Sequence, residues 1–114
     1  MEAIEVKEEK DYVQADVTGD IEEADSMHIE RVIGNYMLEG YNRFVLNLVE
    51  TTFLDSAALT MLVLKAKEVQ RLDGFIAFLG LSEESMEIFY ITRLTKHFLF
   101  FKDEKEMHTA LKKG

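Results

Sequence analysis

Few residues in this 114-residue chain could do chemistry, and one adjacent pair stands out. In "NLVETTFLDSAALTML" (47–62), an acid, Asp55, and a hydroxyl, Ser56, separate an apolar run ending at Phe53 from another beginning at Ala57. Asp and Ser are favoured caps wherever a helix follows a strand, so a plain helix cap is one reading. The other rests on position. A strand that ends just before a helix in an α/β sheet places the pair at the carboxyl edge, where ligands and partners dock. A phosphate added to a serine there would meet unpaired N–H groups and the positive end of the helix dipole. Helical spacing puts Ser56, Thr60, Val63 and Lys67 on one face with Leu64 beside it, and Leu59, Leu62, Ala66 and Val69 on an opposite core stripe.

Other chemistries find little support. With no cysteine, disulfides, thiolate nucleophiles and the common structural zinc sites are excluded. His28, His97 and His108 fall on separate expected elements without metal-ligand spacing. The acidic cluster Asp16, Asp20, Glu22, Glu23 and Asp25 lacks the sixth-position glycine and twelfth-position glutamate of a calcium loop. Glycines are scattered singly, so no phosphate-cradling loop exists, and Ser56 lacks the flanking glycines of a nucleophile elbow. No two carboxylates are marked as an acid/base pair. The expectation is a protein that is not an enzyme and needs no metal or cofactor.

A formal charge of −9 argues against binding a nucleic-acid backbone and suits a partner with a basic face. No apolar run approaches the roughly 18 residues that span a bilayer, and "MEAIEVKEEK" does not read as a signal peptide. A cytoplasmic location without membrane insertion is expected. At 47% hydrophobic and 31% charged, the composition is that of one globular domain able to bury its own core.

Turns have to be read from glycines and acidic clusters, because the chain has no proline. Residues 3–7 and 12–19 alternate as a hairpin. A helix capped by Asp25 or Ser26 follows, with Ile29, Val32, Ile33, Tyr36 and Met37 on its apolar face and its end near Gly40. "RFVLNLV" (43–49) reads as a strand covered on both faces. The helix from Ser56 runs to about Leu72 and stops at Asp73-Gly74. A strand over 75–81, a helix over 82–94 capped by Ser82, a strand over 97–101 and a helix over 103–113, acids first and lysines last, complete the chain. The order β-β-α-β-α-β-α-β-α predicts a single α/β domain with a mixed, mostly parallel central sheet and four helices.

At these residues the sequence resembles the STAS domain and, within it, the bacterial anti-sigma factor antagonists. "FVLNLVETTFLDSAALTMLV" (44–63) is similar to the family's short strand followed by Asp-Ser-[Ser/Thr]-Gly-Leu-Gly at the head of an apolar helix. "TGDIE" (18–22) is similar to Thr-Gly-Glu-[Leu/Ile]-Asp, and "GFIAFLGLSEESMEIFYITRL" (74–94) to the later strand–helix unit, so the likeness covers nearly the whole chain. It implies a regulatory binding module that captures an anti-sigma factor serine kinase and is switched off by phosphorylation of Ser56, beside Asp55, with a cognate phosphatase to reset it. Asp20, Glu22, Thr60, Val63 and Lys67 would contribute the docking surface. The alternative is an unphosphorylated STAS scaffold or a subunit of a larger signalling or transporter assembly. Where the family carries Ser/Thr-Gly-Leu-Gly, this chain has Ala57, Ala58, Leu59 and Thr60. The first lost glycine is expected to add a methyl on the approach to Ser56, and the second a hydroxyl on the docking face.

Overall fold

Strands β1 (Ala3–Glu8) and β2 (Val13–Thr18) pair antiparallel, Glu8 opposite Val13, as the alternation predicts. The structure, a computed structural model, describes residues 1–113. Gly114 and the side chains of Lys112 and Lys113, which close the expected basic end of the last helix, lie outside what is described.

From β2 the chain enters α1 (Glu23–Leu38), then β3 (Arg43–Glu50), α2 (Ser56–Gln70), β4 (Phe75–Leu79), α3 (Glu83–Ile91), β5 (Leu99–Phe101) and α4 (Glu104–Lys113). The strands lie in the order β1-β2-β3-β4-β5, and every pairing after the hairpin is parallel. Each crossover thus moves one strand along in the same direction. Right-handed connections then stack the three crossover helices on one face.

The burial pattern agrees. Phe44, Leu46 and Leu48 of β3 share a core with Ile29 and Ile33 of α1, Leu62 of α2 and Phe89 of α3. On the reverse face a smaller core joins Val45, Ala77, Leu79 and Phe101 to Met107 of α4. β3 is therefore covered on both faces through Leu46, as its dense apolar run requires. Phe78, Phe89, Phe98 and Phe100 interlock under α3, with the Phe78 and Phe98 ring centroids 4.7 Å apart.

The helix ends carry the local corrections. α1 begins at Glu23 after Glu22, and Asp25 reaches back to accept from the Glu22 N–H at 2.9 Å. Asp25 thus lies in the first turn rather than at the cap, and Ser26 is buried behind it. That hydrogen bond, the largest influence on it, holds the Asp25 carboxyl below its ordinary value. At the other end, Gly40 and Tyr41 donate to Met37 and Tyr36, closing the helix through Gly40 at φ +100°. The last strand is shorter than 97–101, because Thr95–His97 wind into a 3-10 turn before Leu99. In α2 the core stripe is Ala58, Leu62, Ala66 and Val69 with Met61, while Leu59 is only half-buried.

Candidate functional site

Three helices start around one loop, Thr51 to Asp55, at the carboxyl edge of the sheet. Thr51 anchors it, its hydroxyl donating to the Gly19 carbonyl at 3.0 Å. Ile21 and Leu54 then form a single parallel bridge beyond the ends of β2 and β3. Asp20 ties the two loops together by accepting from the Phe53 N–H at 3.1 Å. Toward α3, the Thr52 carbonyl accepts from the hydroxyls of Ser82 and Ser85 at 3.1 and 3.3 Å. Ser82 also caps α3 by accepting from the Ser85 N–H at 3.2 Å.

Asp55 occupies the centre. One carboxylate oxygen accepts from the Ala58 N–H at 2.8 Å and caps α2, while the other accepts from the Glu23 N–H at 2.8 Å and holds the start of α1. Each oxygen is thus engaged by a backbone donor. In this arrangement Asp55 is a structural clamp that satisfies two of the donors that helix starts leave open.

Ser56 stands next, at the first helical position of α2. Its side chain is exposed, and its hydroxyl has no partner in the chain among the described residues. The two readings of the Asp-Ser pair divide between its members: Asp55 is the cap and Ser56 is left available. Thr60, one turn on, turns its hydroxyl back to the Ser56 carbonyl at 2.9 Å. Ala58 is fully buried, so the methyl that replaces the first family glycine points into the core and leaves the approach to Ser56 open.

An open groove of about 330 Å³ runs from Ser56 along α2. Thr60, Val63 and Leu64 line it together with Leu59. Its far wall is Thr92 and Leu94, just past the end of α3. Leu64 remains 55% exposed and Phe53, at the loop's tip, 45%. Lys67 is exposed further along α2 and does not line the groove. Asp20, Glu22, Glu23, Glu83 and Glu84 are all exposed at the helix starts and loops of the same edge, though none of them lines the groove, and exposed Arg93 sits between its wall residues Thr92 and Leu94.

Thr92 and Leu94 are the residues that sequence reasoning missed. They reach the groove because α3 ends in a tight turn, with Leu94 and Arg93 donating to Phe89 and Tyr90. Arg93 sits at φ +60° in that turn. No glycine marks it, so the sequence carries no signal for it.

Among the described residues, no group of three histidines, cysteines or carboxylates could hold a metal ion. No helix among them is long and apolar enough to cross a membrane.

Known proteins bear on this geometry. A candidate anti-sigma factor antagonist from Thermotoga maritima superposes with a TM-score of 0.87 at 19% identity, over 96% of this chain and 94% of its own. The anti-sigma factor antagonist SpoIIAA in its unphosphorylated form gives 0.79 at 15% identity, over 98% and 99%. The Bacillus cell fate determinant SpoIIAA in its phosphorylated form gives 0.76 at 15% identity, over 95% and 99%. These likenesses establish a shared fold. No curated protein matches the chain. The STAS domain family matches residues 3–107, nearly the full length, and the chain belongs to that family.

Proposed function

We propose that this domain is an anti-sigma factor antagonist: it binds an anti-sigma factor that is also a serine kinase, and phosphorylation of Ser56 ends the association. The observation that carries this reading is the exposed Ser56 hydroxyl at the start of α2, without a partner among the described residues, beside an apolar groove on a sheet edge that also exposes several acids. Such a surface suits a partner that brings apolar side chains flanked by basic ones. Asp20 and Glu22 supply the charge, Thr60 and Val63 the contact area, and Lys67 extends the surface along α2.

In the transfer step, the Ser56 oxygen attacks the γ-phosphorus of ATP and ADP leaves. Each Asp55 oxygen is held by a backbone N–H, and in this reading the hydroxyl proton goes to a base of the kinase. The product carries about −1.5 to −2 extra charge at neutral pH, added to an edge already rich in acids. A penalty of about 1.4 kcal/mol on docking weakens binding tenfold. A phosphatase that removes the group restores binding. Such a cycle belongs in the cytoplasm.

The test is to incubate the domain with its cognate kinase and ATP, locate the phosphate by tandem mass spectrometry and titrate binding calorimetrically. Phosphate on Ser56, weakened binding by Ser56→Asp and unchanged binding by Ser56→Ala are expected. Phosphate on another residue overturns the assignment.

One observation favours a second reading, an unphosphorylated scaffold within a larger signalling or transporter assembly. Thr60, where the family has glycine, places a side chain at the mouth of the groove. A stable stoichiometric complex indifferent to Ser56→Asp would support that reading instead.

A further inference from the structure

The flank of α2 that carries the Ser56 groove has two ends of opposite charge. α2 is 15 residues long, about 22 Å from end to end. The exposed acids Glu23, Glu83 and Glu84 lie at helix starts, on the carboxyl edge with Ser56. At the far end, around the wall formed by Thr92 and Leu94, stand Lys67, Arg71, Arg93 and Lys96, all exposed. The length of α2 exceeds the screening distance of roughly 8 Å in physiological salt, so each end presents its own charge.

The cations converge. Lys67 and Arg71 are one turn apart on α2, and the Gln70 amide between them donates to the His97 carbonyl at 3.1 Å. That bond holds the 3-10 turn, with Lys96 in it, against the last turn of α2. Burial first, and then the charges of Lys96 and Lys67, push the His97 imidazole below its ordinary value, with no carboxylate to offset them. Glu68, beside Lys67 in sequence, is turned to the other flank of α2 and paired with Lys65 at 3.0 Å. Asp73, just past α2, pairs with none of the four. Among the described residues Lys67, Arg71, Arg93 and Lys96 have no ion-pair partner, in a chain that carries −9 overall.

Arg93 is an independent sign. It occupies the left-handed position that closes α3, at φ +60°, where glycine is the usual residue and sits without strain. An arginine there sets a long cation between the two wall residues of the groove, at a cost in stability.

The groove narrows the choice of anion. Its lining of Leu59, Val63, Leu64 and Leu94 calls for apolar side chains, which a nucleic-acid backbone does not offer. It is concave, so a flat lipid surface would bridge it rather than fill it.

We propose that the groove seats an amphipathic protein segment whose apolar side chains fill it and whose carboxylates meet Lys67, Arg93 and Lys96 at the end away from Ser56. This rests on the reading of that groove as the docking site and names the chemistry of the element that enters it. Arg93 sets specificity, because it fixes which end of the segment lies over Ser56.

Titration of the isotope-labelled domain with a leucine-striped helical peptide, as long as α2 and bearing glutamates at one end, tests this by NMR. Amide shifts are expected at Leu64, Arg93 and Leu94, with dissociation at about 0.1–1 mM that weakens as salt rises. A twin peptide with glutamines in place of the glutamates should bind about tenfold more weakly, and Arg93→Glu with Lys96→Glu should cost the same factor. Arg93→Gly separates binding from folding: it should raise the melting temperature and still weaken the peptide. Equal binding of the two peptides overturns the proposal, as do shifts confined to another face or an Arg93→Gly domain that binds as tightly as wild type. Phosphatidylglycerol vesicles that bind through Arg93 when the peptide does not would overturn it in favour of a lipid surface. Phosphate found on a residue other than Ser56 would remove the kinase assignment and leave these peptide results standing, whereas equal binding of the peptides would leave Ser56 as the acceptor.

Discussion

The Asp55 carboxylate and the Glu23 N–H meet at 2.8 Å across 32 residues of sequence, so the residue that caps α2 also fixes where α1 begins. The two bonds can be separated by substitution. Asp55→Ala removes both and should cost about 2–3 kcal/mol, one lost cap plus one lost charge-assisted hydrogen bond. Asp55→Asn keeps an oxygen for the Ala58 N–H but turns an amide donor toward Glu23, and should cost about half as much. Urea unfolding orders the three proteins. Equal stability of Asp55→Asn and Asp55→Ala would show that the α1 clamp contributes all of the effect.

Ala58 gives a prediction in the direction of the family motif. Its methyl is fully buried at the third position of α2, so the residue that departs from the motif is integrated in the core. Ala58→Gly gives up helix propensity and a buried methyl, each near 1 kcal/mol or a little less. The variant should be about 1–2 kcal/mol less stable in thermal or urea unfolding. Its binding to any partner at the Ser56 edge should be unchanged once it is folded, because the lost methyl faces inward.

These cases show what the sequence can and cannot carry. β3, α2 and the shared face of Ser56, Thr60 and Val63 are legible because burial on a regular element imposes a period. The start of α1 is not. Acids occupy positions 20, 22, 23 and 25, and a tertiary bond from Asp55 chooses among them. The core stripe of α2 runs through Ala58 rather than Leu59, a choice between neighbouring helix positions that the loop geometry decides. Thr92 and Leu94 reach the groove through a left-handed arginine, which has no compositional mark. Thr95–His97 look like the start of a strand but coil, leaving β5 three residues long.

Two glycines make opposite demands. Gly40 has a positive φ with open space around the site of a Cβ, whereas Gly74 has an ordinary φ and a Cβ would overlap the Asn42 carbonyl oxygen. That oxygen accepts from the Phe75 N–H at 2.9 Å and opens β4. The left-handed position after α2 is filled by Asp73, at φ +61°, so the glycine of the Asp-Gly pair serves close approach rather than the turn. Gly40→Ala should cost about 1–2 kcal/mol, the strain of a side chain at positive φ. Gly74→Ala should cost about 3–5 kcal/mol, since the backbone must move. Matched urea titrations decide, and a smaller loss at Gly74 than at Gly40 would contradict the assignment.

On the sheet face opposite the three crossover helices, Asp16 anchors a polar network that yields a pH prediction. Its carboxylate accepts from Gln14 and Asn47, each at 2.9 Å, and pairs with the Lys7 Nζ at 3.0 Å. Burial pushes the carboxyl up, but these hydrogen bonds and the Lys7 charge together outweigh it and hold the group below its ordinary value. A carboxyl depressed in the folded state binds fewer protons there than in the unfolded chain. Its contribution is therefore complete above the unfolded value near 3.9 and is lost as pH falls through the folded one. Many other acids titrate over the same interval, so the informative quantity is the difference between wild type and Asp16→Asn. At pH 7 that difference should be about 1 kcal/mol in favour of wild type, modest because the site is partly exposed. It should shrink steadily below about pH 4 as the wild-type carboxyl protonates. Urea unfolding at several pH values measures it, and a difference that stays constant down to strong acid would show that the charge of Asp16 is not what the network stabilises.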